Sequence, residues 1–110
     1  MASRELNKSD WQNFFDNFSK KHSTVLINLE IVGKEVGDQT EINWQPLRGI
    51  SLDPRNDRFF IQTDLIEHSI SHPKKVQIEE QNGELKSIQI IDQENNRQIV
   101  RLKEQSPNAS

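Results

Sequence analysis

The residues most capable of chemistry in this chain are its three histidines, since imidazole is both a metal ligand and a proton carrier near neutral pH. His68 and His72 stand four positions apart. On a helix that spacing puts both rings on one face, where they can share a metal. Here the local pattern is Ile66, His68, Ile70, His72, which is a strand period. Four residues at a strand rise of about 3.3 Å separate the Cα atoms by roughly 13 Å. A metal held about 2 Å from each ring nitrogen does not fit that separation. His68 is expected beside the apolar face with one hydrogen bond, or capping a turn backbone, and His72, before Pro73, in solvent. His22 is expected to favour the negative end of a preceding helix.

Asp53, Asp57, Asp64 and Glu67 form the next cluster. Acid–base catalysis needs carboxylates in a desolvated cleft. Asp53 precedes Pro54 as a turn former, and Glu67 is an outward strand position, so both have ordinary structural roles. No serine stands in a Gly-x-Ser-x-Gly elbow, and four glycines make no phosphate cradle. There are no cysteines, which removes disulfides, thiolate metal sites and thiol nucleophiles. The expectation is a non-enzyme with no metal and no cofactor.

Arg48, Arg55 and Arg58 lie close in sequence to Trp44, Phe59 and Phe60. Basic groups interleaved with aromatics bind single strands by stacking. Charge opposes that use. Residues 23–73 carry eight acidic and four basic groups, and the whole chain is at −3. An acidic surface disfavours a phosphate backbone.

The elements that hold these residues follow from the pattern. Trp11, Phe14, Phe15 and Phe18 recur at i, i+3, i+4 and i+7, so one helical face over 9–21 is aromatic. Ser9 is in the N-cap position, with Gln12 at capping-box spacing. The period then drops to two. Val25, Ile27, Leu29 and Ile31 alternate, and Thr40, Ile42 and Trp44 alternate again. Pro46 and Gly49 interrupt the segment running to Leu52, which predicts one long bent strand. Asp53-Pro54-Arg55-Asn56-Asp57 is a turn, and Arg58 to Thr63 a strand with Phe60 on the opposite face from Phe59 and Ile61. Strands follow over 66–71 and around Val76 and Ile78. Asn82-Gly83 predicts a tight hairpin, with its second arm over 85–91. Asp92 to Asn96 is a polar turn before a last strand at 98–103.

Length and composition suit one domain: 110 residues, with 32% hydrophobic content in a patterned arrangement. Met1 to Lys8 is polar and reads as an arm without a leader. The longest apolar runs fall far short of the roughly 20 residues that span a bilayer. The expected location is cytoplasmic, with no membrane contact.

Trp11-Gln12-Asn13-Phe14-Phe15-Asp16-Asn17-Phe18-Ser19 resembles the opening of a family of small bacterial proteins defined only as a domain of unknown function. Pro46-Leu47-Arg48-Gly49-Ile50 and His68-Ser69-Ile70-Ser71-His72-Pro73 extend the resemblance over most of residues 9–80. It implies a bacterial domain and carries no activity. A fainter similarity is to the bacterial Sm-like RNA chaperones, a helix followed by a bent five-stranded barrel. Leu47-Arg48-Gly49-Ile50 and Glu67-His68-Ser69-Ile70-Ser71 carry it, with Glu67 where that family has lysine.

The expectation is therefore an α+β domain over 9–103, with a polar arm at 1–8 and a flexible tail at 104–110. An N-terminal amphipathic helix at 9–21 precedes a strongly bent antiparallel sheet or small barrel of about six strands over 24–103. Its function is expected to be protein interaction or regulation, through a protein partner or self-association. An Sm-like RNA binder is the alternative, and a small-ligand binder or enzyme with a cryptic pocket a further one. The candidate interaction residues are Arg48, Arg58, Phe60, His68 and His72.

Overall fold

A computed structural model describes residues 2–21, 25–35 and 37–104, with the side chains of 19–21 undescribed. The expectations for His22 and for the tail over 105–110 lie outside the described residues. The chain orders as β1 (Ala2–Leu6), a 3-10 turn (Lys8–Asp10), α1 (Trp11–Lys21), β2 (Val25–Gly33), β3 (Gly37–Asp53), β4 (Arg58–Thr63), β5 (Glu67–Ser71), β6 (Pro73–Gln81), β7 (Glu84–Asp92) and β8 (Arg97–Glu104). Among the described residues no helix is long and apolar enough to cross a membrane.

The eight strands form one antiparallel sheet in the order β1-β6-β7-β8-β2-β3-β4-β5. Of the bent sheet or barrel expected, the open bent sheet forms. Two features differ from the expectation: the sheet has eight strands rather than about six, and α1 is not the first element. Ala2–Leu6, expected as a polar arm, is β1 and pairs with β6 from Ala2↔Glu80 to Leu6↔Val76. Its residues are polar because only Leu6 is buried. Backbone pairing, not an apolar face, holds it in place. The helical run likewise starts earlier than Ser9. Asn7 caps the 3-10 turn, and Asp10 N–H donates to Asn7 O at 2.9 Å.

The aromatic face of α1 docks as its spacing predicts. Trp11 and Phe15 are fully buried, Phe18 is buried and Phe14 half-buried. Trp11 and Phe15 both stack on Phe59 of β4, with centroids 5.5 and 5.1 Å apart. Such pairs contribute about 0.5–1.5 kcal/mol each beyond their buried area. Trp11 Nε1–H donates to Leu6 O at 3.2 Å, which ties the helix to the end of β1.

β3 is the bent strand, 17 residues long. Its first part pairs with β2 and its last part with β4, so it joins the two portions of the sheet. Register shifts mark both sides of the bend, between Ile27 and Leu29 on β2 and between Leu47 and Gly49 on β3. A bulge leaves one residue unpaired and re-aims its side chain. The first shift carries Trp44 outward at φ 49°, although Ile42 before it and Leu47 after it are buried. The second leaves Arg48 outside the ladder.

The hairpin at Asn82-Gly83 forms as expected. Both residues have positive φ, 55° and 78°, as a type I′ turn requires. β5 passes into β6 through His72 alone, whose φ is 53°. That corner is braced by Asp57, itself at φ 50°: His72 N–H donates to Asp57 O at 2.8 Å.

Candidate functional site

β4 and β5 are joined by a turn whose conformation is set by one threonine. Thr63 Oγ1 accepts from the N–H of Leu65 at 3.3 Å and of Ile66 at 3.0 Å, and donates to Ile66 O at 3.2 Å. Thr63 N–H also donates to Ile66 O at 2.8 Å. Thr63 is buried, so the turn is anchored from below. It holds two large apolar side chains in solvent, with Leu65 77% exposed and Ile66 37% exposed.

Charged and amide groups rim these side chains. Arg48, set free by the β3 bulge, donates from Nε to Asp64. Gln62 Nε2 donates to Glu67 Oε2 at 2.7 Å. Together Arg48, Gln62, Thr63, Asp64, Leu65, Ile66 and Glu67 line an open cleft. This set has a contact surface's composition, with apolar groups at its centre and polar groups around them.

His68 lies on β5 next to this turn, facing the other way. It pairs with Ile61, which is fully buried, and directly opposed residues of an antiparallel ladder share a face. Its Nε2 lies 2.7 Å from Gln98 Oε1 on β8. Gln98 Nε2 donates to Asp92 Oδ2 at 3.3 Å, so its oxygen is the acceptor and His68 Nε2 carries the proton. Asp92 Oδ1 accepts from the N–H groups of Glu94 and Asn96, each at 3.0 Å. His68 thus bonds within the core side of the fold, with partners sequence spacing does not reveal.

The five candidate residues are not gathered at one place. Arg48 sits at the Thr63 end of β4, and Arg58 begins that strand at its other end, about 17 Å away at a strand rise. Phe60 is half-buried and opposes Ser51 and Ser69 on the outer face, while His68 points inward. His72 is at the far corner, its Nδ1 3.4 Å from Asp57 Oδ2, with Lys8 Nζ 4.0 Å from Asp57 Oδ1. Only Arg48 joins the turn. Leu65 and Ile66 escape a reading by alternation because they stand in the turn itself. The available signal is a bare Leu-Ile pair straight after Thr63-Asp64.

Trp44 is the third exposed large apolar group, at 38%, with Lys103 Nζ 5.2 Å from its ring centroid. The carboxyl of Asp53 is held below its ordinary value, chiefly by the Asn56 side-chain amide at 2.7 Å. Among the described residues no group of three or more potential ligands could hold a metal.

A family model described as a family of unknown function, DUF5335, matches residues 2–109. The chain belongs to that family. An uncharacterized protein of Aquifex aeolicus (strain VF5) is 42% identical over 108 residues, covering 97% of each chain. That breadth places β1 through β8 of the DUF5335 fold inside the shared region. No solved structure matches the chain.

Proposed function

We propose that this DUF5335 chain is a non-enzymatic interaction module that meets a protein partner through the β4–β5 turn and the adjoining β5 edge. The observation that carries the reading is Leu65 at 77% exposure beside Ile66 on a turn fixed by Thr63. An apolar pair held out by a hydrogen-bonded turn is already ordered, so a partner binding it loses little conformational entropy. Arg48, Asp64, Gln62 and Glu67 supply a polar rim of the kind that surrounds an interface anchor. β5 adds an edge strand, and edge strands accept further strands.

The test compares proteins recovered with the tagged wild-type chain and with a Leu65→Asp/Ile66→Asp variant from the same host, by quantitative mass spectrometry. A partner lost from the variant, while circular dichroism is unchanged, supports the reading. An identical set of proteins overturns it. So does salt-sensitive binding of single-stranded RNA that the double variant retains and Arg48→Ala removes.

A further inference from the structure

We propose that the β5 edge takes an extended segment of a different protein, added antiparallel, whose alternate residues are an acid, a large apolar group and a base. This rests on the interaction reading above and states the chemistry of its partner.

β5 is hydrogen-bonded on one side only, to β4, and ends the strand order. Its ladder with β4 runs from Arg58↔Ser71 to Gln62↔Glu67 without a bulge. Directly opposed residues of an antiparallel ladder share a face. Glu67, Ser69 and Ser71 therefore stand on the outer face in front of Gln62, Phe60 and Arg58. Two of the three are serines, too short to screen what lies behind them. A strand added to β5 stands two strand spacings from β4, about 9.6 Å, a gap that long side chains cross.

The groups behind the serines have no partner of their own. Among the described residues Phe60 stacks on no other ring, and Arg58 has neither an ion pair nor a side-chain hydrogen bond. Asp53 opposes Arg58 from β3, but its oxygens accept from Arg55 N–H and the Asn56 amide. Glu67 is hydrogen-bonded by the neutral Gln62 amide, which leaves its charge in place.

Each position of an added strand is thereby specified. A residue opposite Ser71 faces Arg58 across it, so an acid fits. One opposite Ser69 covers Phe60, so a large apolar group fits. One opposite Glu67 forms a cross-strand pair with it, so a base fits. An antiparallel segment meets these positions in that order from its N-terminus, and its next residues run along Ile66 and Leu65. A second copy of β5 fits poorly. Centred on Ser69, it brings Glu67 to the first position but serines to the other two.

The experiment is an NMR titration of the isotope-labelled full chain with a capped peptide containing Asp-Thr-Leu-Thr-Lys. Shifts are expected at Glu67–Ser71 and Phe60. The peptide with Lys-Thr-Leu-Thr-Asp is expected to bind on the order of tenfold more weakly, and so is one with serine in place of leucine. The Arg58→Glu/Glu67→Lys variant is expected to prefer the reversed order. No shifts at β5 at millimolar peptide overturn the proposal. So do shifts confined to β1, equal binding of all three peptides, or a preference of the wild type for the reversed order. A peptide-free dimer whose β5 amides are protected from exchange overturns it in favour of self-pairing. If the peptides fail while a co-purified protein is still lost on Leu65→Asp/Ile66→Asp, this inference falls and the interaction reading stands.

Discussion

His68 on β5 and Gln98 on β8 meet at 2.7 Å across strands that share no ladder. The sheet bends at β3 far enough to bring its β5 end over β8, and side chains rather than backbone bridge the two. Gln98 is buried and also serves Asp92, so its amide satisfies two groups at once. Gln98→Leu is expected to destabilise the fold by about 1–3 kcal/mol, the cost of leaving buried partners unpaired. Replacing both partners, His68→Leu with Gln98→Leu, is expected to cost less than the sum of the two single changes. Urea unfolding of the four proteins in this cycle checks both statements.

Phe15 is fully buried between Phe14, at 5.1 Å and edge-on, and Phe59. With Trp11, it fastens α1 to Phe59 of the sheet. Phe15→Ala removes the ring and leaves a cavity, for an expected loss of about 3–5 kcal/mol. A domain of this size has roughly 5–15 kcal/mol in all. The variant is expected to unfold at a far lower temperature, with the fluorescence of buried Trp11 reporting the loss.

Local signals carried α1 and the β6–β7 hairpin. The aromatic spacing from Trp11 to Phe18 and the Asn82-Gly83 pair each specify their geometry within a few residues. β1 was not legible, since Ala2–Leu6 pairs through its backbone and buries only Leu6. Trp44 continues the alternation of Thr40 and Ile42 in sequence, yet a bulge turns it outward. Bulges shift the register by one residue, and that inverts faces without altering the local pattern. The partner of His68 lies 30 positions away, and strand order decides whether such a pair can meet. Of the two roles read for His68, one hydrogen bond beside the apolar face or a cap on a turn backbone, its placement matches the first, although Gln98 could not be named.

Gly83 has φ 78°, and a Cβ added there meets nothing within 4 Å. Any cost of Gly83→Ala therefore comes from the backbone conformation alone. The left-handed region costs an L-residue about 1–2 kcal/mol. Gly83→Ala is expected to destabilise by that amount, and Gly83→Asn by less, because Asn tolerates this region better. Thermal unfolding of the three proteins tests the order.

Asp53 Oδ2 accepts from the Asn56 amide at 2.7 Å and Oδ1 from Arg55 N–H at 3.1 Å. These bonds favour the charged carboxylate, the Asn56 side chain most, and hold its pKa below the ordinary 3.8. A carboxyl with a lowered folded pKa stabilises the fold above its unfolded pKa. That contribution is lost as pH falls through the lower folded value. Asp53 is therefore expected to titrate below 3.8 when followed by NMR of its side-chain carbon. Asn56→Ala removes the largest cause and is expected to return the midpoint towards that value. It is also expected to shrink the stability lost on acidification over the same interval. A midpoint unmoved by Asn56→Ala would assign the shift to the two backbone N–H groups instead.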